Sequence, residues 1–324
     1  MVLCSTTRAQ HEADPFLGRW ALHLPGGAGW LDVHQNEGYL DAELLWYGGS
    51  VLPVANAYIN DGVLTVTRQY EVVRQRDDQG APLRTHHVTN RFEFRREGDH
   101  LTGQAFFPHR NGIGLNVVSF EGKQIPALPP PPDLSKIDYA EPITLFNGRD
   151  LSGWSLINPE HENGFSVEGE ALINNPVQPE GEHHIRYGNL RTDQTFEDFN
   201  LKLQVNIPAG NNSGVYLRGI YEIQVLDSYG ASLDPHNMGA LYSRITPAVA
   251  AEKPAGEWQD LDITLCQRHV TVVLNGTTII DNQPVLGVTG GALTADEFAP
   301  GPIYLQGDHG RVSYRDIVLT PIQN

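Results

Sequence analysis

Polar side chains of several chemical types are concentrated in residues 212–227. Tyr216 and Arg218 precede a turn, and Glu222 and Gln224 follow it. Apolar residues alternate with them, as in strands that bury one face. An aromatic ring, a guanidinium, a carboxylate and an amide on one surface can hold a sugar ring and move its protons. The segment therefore predicts a polar working surface on a hairpin.

The length of the turn at Gly219 decides whether Arg218 faces Glu222. A two-residue loop at Gly219 and Ile220 would pair Arg218 with Tyr221 and send Glu222 to the opposite face. A three-residue loop, or a bulge at Gly219, would pair Arg218 with Glu222. The second arrangement keeps both apolar sets in the core, so we expect it. An ordinary surface ion pair, worth under about 1 kcal/mol, is the alternative interpretation.

Three further segments can extend this surface, because each mixes charged, amide or aromatic side chains with glycine. They are 227–230, with Asp227 and Tyr229; 253–258, with Lys253, Glu257 and Trp258; and 306–310, with Gln306, Asp308 and His309. Each is weak alone, and an Asp beside a His in a turn is commonly only turn chemistry. No nucleophile elbow, phosphate loop or zinc-binding His-Glu-x-x-His motif occurs.

The elements that must position these residues are short strands in two regions. Five prolines within 126–132 predict a semi-rigid linker over 125–141. Residues 15–124 predict a small antiparallel β-barrel or sandwich, and 142–324 predict a two-sheet antiparallel sandwich. Asn275-Gly276 predicts a tight hairpin, because both residues tolerate positive φ. Residues 1–14 are expected to be disordered or the remnant of a signal peptide.

The composition restricts the classes of partner that this all-β chain can bind. Its 324 residues carry a formal net charge of −17, which disfavours nucleic acid and anionic membranes. No apolar run is long enough to span a bilayer. Two cysteines exclude a Cys-based metal site, and no cofactor is required, although a divalent metal held by carboxylates and His309 is possible. An export signal would place the protein in the periplasm or outside the cell, with the cytoplasm as the alternative; the oligomeric state is left open.

The second region resembles the 3-keto-disaccharide hydrolase domain family. The resemblance rests on five motifs in order, at 145–154, 212–219, 221–230, 253–258 and 301–310. It implies a concanavalin A-like jelly roll that acts on small carbohydrates already oxidised at carbon 3. A ketone there acidifies the hydrogen on carbon 2, so that a base can remove it and the enolate can expel the glycosidic oxygen from carbon 1. The product, a 3-keto-2-hydroxyglucal, can then be hydrated.

Such a reaction needs a base, a cation near the enolate and an acid for the leaving group. The resemblance makes Glu222 or Asp227 the candidate base, with His309 as a rival. Arg218 and Lys253 are candidates to stabilise the enolate, and His309, oriented by Asp308, is the candidate acid. The side chains expected to bind the sugar are Tyr216, Gln224, Tyr229, Glu257, Trp258 and Gln306.

Two other functions fit the same residues. A conventional glycosidase would use two carboxylates about 5–10 Å apart, with Glu222 and either Asp227 or Glu257 in those roles. A non-catalytic carbohydrate-binding module would need few titratable groups. The two alternatives differ from the first interpretation in the substrate that they accept and in whether any reaction occurs.

Overall fold

The chain divides into two compact units, with the boundary between Ala127 and Leu128. A computed structural model describes residues 14–179 and 184–323, so the prediction for 1–14 lies outside the described residues except at Asp14. The regular secondary structure of both units is almost all antiparallel strand, apart from short 3₁₀ turns at Asp14–Phe16 and Leu134–Lys136. No helix of the described residues is long and apolar enough to cross a membrane.

The first unit is one curled sheet of nine strands. The strands are β1 (Gly18–Leu24), β2 (Gly27–Asn36), β3 (Tyr39–Trp46), β4 (Leu52–Pro53), β5 (Asn56–Asn60), β6 (Val63–Arg76), β7 (Pro82–Glu97), β8 (His100–Pro108) and β9 (Leu115–Gln124). Their order in the sheet is β4-β3-β2-β1-β9-β8-β7-β6-β5. Ala42 of β3 and Ala57 of β5 share one core cluster with Trp20 and Phe92. The two ends of the sheet therefore approach each other, as in a small barrel.

The second unit contains the remaining strands. They are β10 (Asp138–Tyr139), β11 (Ile143–Thr144), β12 (Trp154–Leu156), β13 (Phe165–Glu168), β14 (Ala171–Asn174), β15 (Leu190–Thr192), β16 (Phe199–Asn206), β17 (Asn212–Leu217), β18 (Tyr221–Leu226), β19 (Trp258–Cys266), β20 (His269–Leu274), β21 (Thr277–Pro284), β22 (Tyr304–Leu305) and β23 (Val312–Gln323). The larger sheet has the order β13-β14-β23-β16-β19-β20-β21, and β10 and β11 also pair with β23. The smaller sheet has the order β12-β15-β22-β17-β18.

Apolar side chains from both sheets fill the core between them. Leu203 of the larger sheet and Val215 and Ile223 of the smaller sheet are fully or almost fully buried. Ser213 Oγ and Tyr314 Oη lie 2.9 Å apart and join the two sheets through a buried hydrogen bond. The predicted all-β concanavalin A-like sandwich, preceded by a small antiparallel β domain, is confirmed.

Two local details bear on the sequence predictions. Asn275 and Gly276 adopt φ values of 51° and 81°, so the hairpin between β20 and β21 has the positive-φ turn that this dipeptide favours. Within the predicted linker, Asp138 and Tyr139 pair with the last strand of the second unit. These two residues, at the end of the predicted linker, therefore belong to a sheet.

Candidate functional site

The β17–β18 hairpin places Glu222 on the face of the smaller sheet that points away from the sandwich core. Tyr216 pairs with Glu222, and Gly214 pairs with Gln224. Val215, which alternates with these residues, points into the core and is fully buried. The polar set of the sequence pattern thus lies on one face, as expected, except for Arg218.

Arg218 belongs to the turn and does not pair with Glu222, so that expectation is wrong. Leu217 pairs directly with Tyr221, which leaves a three-residue loop of Arg218, Gly219 and Ile220. Arg218 has a φ of 54°, and this left-handed conformation takes its side chain out of the strand alternation.

The Arg218 guanidinium is instead bonded to backbone carbonyls of a neighbouring segment. It donates to Glu297 O at 2.8 Å and to Ala299 O at 2.5 Å. It also contributes to the electrostatic environment of Tyr221, which donates to Glu297 Oε2 at 2.7 Å. Arg218 therefore fastens the 297–299 segment to the hairpin.

Glu222 is a buried carboxyl with an unusual acidity. Only 4% of the residue is exposed, and burial raises the pKa of its carboxyl from 4.5 to about 8, because the charged form loses solvation. A hydrogen bond from Tyr216 Oη to Glu222 Oε2, at 2.8 Å, and the nearby His309 act in the opposite direction. A carboxyl with a pKa near neutrality is suited to accept and return protons.

Asp308 and His309 form a partly exposed pair that interacts electrostatically with Glu222. His309 Nδ1 lies 2.7 Å from Asp308 Oδ1, and their side chains are 42% and 51% exposed. This hydrogen bond raises the pKa of His309, and it lowers the pKa of Asp308. His161 also lowers the pKa of Asp308, although no sequence pattern had pointed to it.

Three amide side chains of this region carry a buried oxygen that has no hydrogen-bond partner within residues 14–179 and 184–323. They are Asn212 Oδ1, Gln224 Oε1 and Gln306 Oε1. Asn212 and Gln224 lie on the same face as Glu222 by strand alternation, and Gln306 N donates to Gly214 O at 3.0 Å beside them. A buried acceptor without a partner costs about 1–3 kcal/mol. Hydroxyl donors of a bound sugar would remove that cost.

The segment 289–291 covers part of this face. Thr289 Oγ1 accepts the Glu222 backbone N–H at 2.8 Å, and Gly290 O lies 2.7 Å from Tyr216 Oη. Gly291 has a φ of 83°, and a Cβ there would lie 2.7 Å from Tyr216 Oη, so only glycine fits. Tyr304 stacks on Tyr216 with ring centroids 3.8 Å apart.

Sequence reasoning missed His161, Thr289, Gly291 and Tyr304 as members of this site. Tyr304 could have been found, because it lies two residues before Gln306 and therefore on the same face of a strand. The other three lie in irregular segments where alternation gives no information about direction.

Asp227 and Tyr229 lie beyond the end of β18, and the structure does not bring them to Glu222. Asp227 is five residues further along the chain, about 16 Å in an extended strand. Its carboxylate accepts the Gly210 backbone N–H at 2.9 Å. Tyr229 is 59% exposed. Both residues therefore lie at the far end of the hairpin.

Lys253, Glu257 and Trp258 lie at the start of β19, on the larger sheet. Lys253 Nζ donates to Trp258 O at 2.8 Å, and the Arg315 guanidinium lies 4.0 Å from the centre of the Trp258 ring. Trp258 alternates with the buried Gln259, so it faces outward from the larger sheet. The structure thus does not gather these three residues around Glu222, because their strand belongs to the opposite layer of the sandwich.

No cluster of three His, Cys, Asp or Glu side chains able to hold a metal occurs in the described parts of the chain. The pKa values of Glu222, Asp308 and His309 influence one another, and Glu222 also raises the pKa values of Tyr216 and Tyr304. The arrangement combines a carboxyl of raised pKa, a His–Asp pair and unpartnered amide oxygens. Such a set can transfer protons on a polyhydroxylated substrate.

Comparison with known proteins identifies a sequence family. Residues 141–320 match a sequence family described as the 3-keto-alpha-glucoside-1,2-lyase-like domain, which confirms the predicted resemblance. A presumed glycosyl hydrolase from Parabacteroides distasonis is 27% identical with a TM-score of 0.46, over 60% of this chain and 91% of that one.

Two other solved structures show weaker similarity. A second presumed glycosyl hydrolase from the same organism is 18% identical with a TM-score of 0.47, over 56% of this chain and 94% of that one. The carbohydrate-binding module CBM66 from Bacillus subtilis is 14% identical with a TM-score of 0.33, over 51% of this chain and 93% of that one. Comparison with curated proteins found no match.

Proposed function

This chain belongs to the family of 3-keto-alpha-glucoside-1,2-lyase-like domains, and from that premise we propose that it cleaves 3-keto-glycosides by elimination across carbons 1 and 2. Membership makes it a glycosidase-like enzyme. The observation that carries the finer proposal is the buried Glu222 carboxyl, with its pKa of about 8, beside the Asp308–His309 pair.

Glu222 is the proposed base. Its carboxylate takes the hydrogen on carbon 2 as a proton, and the electrons of that bond form the enolate with the ketone at carbon 3. A base is stronger when its conjugate acid has a higher pKa, so the burial that raises the pKa of Glu222 also favours this proton transfer. Asp227 is a poorer candidate, because its carboxylate is occupied by the Gly210 N–H.

His309 is the proposed acid for the leaving group. When the enolate collapses, the carbon 3 ketone re-forms, a double bond forms between carbons 1 and 2, and the glycosidic oxygen leaves carbon 1. Protonated His309 donates a proton to that oxygen, and Asp308 supports the charged imidazole through the 2.7 Å hydrogen bond. The charge of the imidazolium also stabilises negative charge nearby. Arg218 and Lys253 are less suited to that role, because carbonyl groups occupy both cations.

Sugar hydroxyls are the proposed partners of Asn212, Gln224 and Gln306. Their buried oxygens accept hydrogen bonds, and a pyranose ring offers several donors. After cleavage, water adds to the 3-keto-2-hydroxyglucal in a second step and yields the free 3-keto sugar. Hydration at the same site would make the net reaction a hydrolysis.

A conventional two-carboxylate glycosidase is the alternative. No hydrogen bond joins Asp227 or Glu257 to Glu222, the Asp227 carboxylate accepts the Gly210 N–H, and Asp308 is bonded to His309. A non-catalytic carbohydrate-binding module is the other alternative, but it gives no reason for a raised pKa at Glu222.

The decisive experiment compares a 3-keto-disaccharide with its unoxidised parent. We expect turnover of the 3-keto form only, with a 3-keto-2-hydroxyglucal visible by NMR and exchange of the carbon 2 hydrogen in heavy water. Glu222→Gln should reduce both signals to a small residual rate, whereas Lys253→Met, on the other sheet, should keep them. Equal turnover of the parent sugar would favour the conventional glycosidase, and sugar binding without any turnover would favour the binding module.

Three further properties remain proposals. Export to the periplasm or beyond is tested by the mass of the mature N-terminus from the native host, which should lack Met1. Participation of a divalent metal at Asp308 and His309 is tested by dialysis against a chelator and re-addition of metal. The oligomeric state is measured by sedimentation.

A further inference from the structure

We propose that the first unit carries its own binding site for a small anionic sugar, in a cavity at the mouth of its barrel beside Trp46, Arg68 and Asn90. The cavity has a volume of about 360 Å³, at the lower end of the range of about 300–1,000 Å³ that small-molecule sites occupy. The mouth of a β-barrel is also a common location for such sites. This inference is independent of the function proposed for the second unit.

The strand register places Arg68 and Asn90 together on the inner face of the barrel. Arg68 of β6 pairs directly with Asn90 of β7, and the next inward pair on that face is Val66 and Phe92. Val66 and Phe92 are both buried in the core. The two polar residues therefore continue the core face to the point where the barrel opens.

Arg68 has a positive charge that no other described residue neutralises. It is partly buried, yet its guanidinium makes neither an ion pair nor a hydrogen bond with any residue of the described ranges. The side chains that line the cavity include no carboxylate. Burial lowers the pKa of Arg68, so an anion beside it would compensate for the lost solvation. A planar guanidinium fits a carboxylate through two parallel hydrogen bonds.

Asn90 requires that the ligand of this cavity carry a hydrogen-bond donor. Its Oδ1 atom is buried and has no partner in the parts of the chain that the structure describes. A cavity formed only by imperfect packing would be lined by apolar atoms, whereas buried polar atoms normally have partners. A ligand hydroxyl would satisfy this oxygen.

Aromatic rings form the remaining wall. Trp46 contacts Phe92 and Phe107, with ring centroids 5.0 and 5.8 Å apart. The Trp46 side chain is partly exposed, so it can present apolar surface to a ligand. A carboxylate for Arg68, a hydroxyl for Asn90 and an apolar ring face for Trp46 together describe a hexuronic acid.

The test is titration of the full chain with D-glucuronate, followed by calorimetry and by the NMR signal of the Trp46 indole. We expect saturable binding with a millimolar or lower Kd, and at least tenfold weaker binding of D-glucose, which lacks the carboxylate. Arg68→Gln should weaken glucuronate binding at least tenfold. Asn90→Asp should do the same, since the new carboxylate pairs with Arg68.

Arg91→Gln is the matched control. It removes the same charge, but Arg91 lies on the outer face of the adjacent strand β7 and pairs with Glu93 at 3.2 Å. Glucuronate binding should therefore be unchanged in this variant, and circular dichroism should show that all variants fold. The proposal is overturned if glucuronate does not saturate at millimolar concentration, if glucose binds equally well, or if folded Arg68→Gln and Arg91→Gln bind alike.

Discussion

Tyr216 Oη lies between two hydrogen-bond partners, 2.8 Å from Glu222 Oε2 and 2.7 Å from Gly290 O. A phenol has one proton, and a backbone carbonyl can only accept. When Glu222 is charged, the phenol proton points to its carboxylate, and when Glu222 is protonated the phenol can donate to Gly290 O instead. The bond to the carboxylate stabilises the charged form, so it opposes the effect of burial on the pKa of Glu222.

Tyr216→Phe should raise the pKa of Glu222 above its value of about 8. The phenol donates to the carboxylate form, and hydrogen bonds to a charged acceptor are stronger than those to a neutral one. Loss of the phenol thus removes more stabilisation from the charged form of Glu222 than from its neutral form, so the pKa rises. The pH dependence of kcat/KM should show the limb assigned to Glu222 moving to higher pH.

Tyr304→Phe is the control for that shift. Tyr304 donates to Gly291 O at 2.8 Å and stacks on Tyr216, but no hydrogen bond joins it to Glu222. A pH profile that moves equally in both variants would contradict a direct effect of the Tyr216 hydrogen bond.

Gly214→Ala should lower kcat while leaving the fold intact. A Cβ at this position would lie 2.3 Å from Glu222 Oε1. Because the conflict is with the end of a flexible side chain, the carboxyl can move away at little cost to stability. We expect a loss of at least tenfold in kcat with a small change in Tm.

The double variant Gly214→Ala with Glu222→Gln distinguishes displacement of the carboxyl from a general disturbance. If Gly214 acts through Glu222, the double variant should be no slower than Glu222→Gln alone. Gly48→Ala is the control, because nothing lies within 4 Å of a Cβ there. A further loss in the double variant would assign the effect to the sheet rather than to the carboxyl.

The sequence predicts the positions of some of these residues and not of others. The alternation of 212–226 placed Tyr216, Glu222 and Gln224 on one face, and Asn275-Gly276 predicted its turn, because both depend on local backbone geometry. The position of Arg218 could not be read, because left-handed φ in a residue other than glycine is decided by tertiary contacts, here with Glu297 and Ala299.

Long-range placement was the other failure. Lys253 and Trp258 form a polar motif as conspicuous as that of Asp308 and His309, and alternation cannot tell which of two sheets a strand joins. Only the pairing of β19 with β16 shows that this motif lies on the opposite layer from Glu222.

Arg218→Ala should destabilise the second unit. If Arg218 only stabilised the enolate, the variant would lose activity and keep its stability. Arg218 is 3% exposed and bonds two backbone carbonyls. Each buried group left without a partner costs about 1–3 kcal/mol. We expect a clear fall in the free energy of unfolding, measured by denaturant titration, and faster amide exchange in 297–299. Unchanged stability with activity lost would instead assign Arg218 to the chemistry.

Asp308→Asn should lower the pKa of His309. The hydrogen bond and the charge of Asp308 raise this pKa, while burial opposes them. With a neutral amide, less His309 is protonated at neutral pH, so fewer molecules can donate a proton to the leaving oxygen. The limb of the pH profile assigned to His309 should move to lower pH, and kcat should fall. Substrates with a more acidic leaving group should lose less, and an equal loss for all leaving groups would contradict the role of His309 as the acid.

Glu222 should also make the stability of the chain depend on pH. Its folded pKa, about 8, exceeds the ordinary value of 4.5, so the folded state binds this proton more tightly than the unfolded state. The contribution is fully present below pH 4.5 and is lost as pH rises through about 8.

Glu222→Gln replaces the carboxyl with an amide of nearly the same size, which does not titrate. The difference in free energy of unfolding between wild type and variant should therefore change by a few kcal/mol between pH 4.5 and 8, with wild type losing stability relative to the variant as pH rises. Denaturant titrations at a series of pH values measure it. The Asp227→Asn variant is the control, because it makes the same carboxyl-to-amide change at the far end of the hairpin, where Asp227 accepts the Gly210 N–H. A wild-type minus Glu222→Gln difference that stays constant across this range would show that Glu222 has an ordinary pKa, and its proposed role as a strengthened base would then lose its physical support.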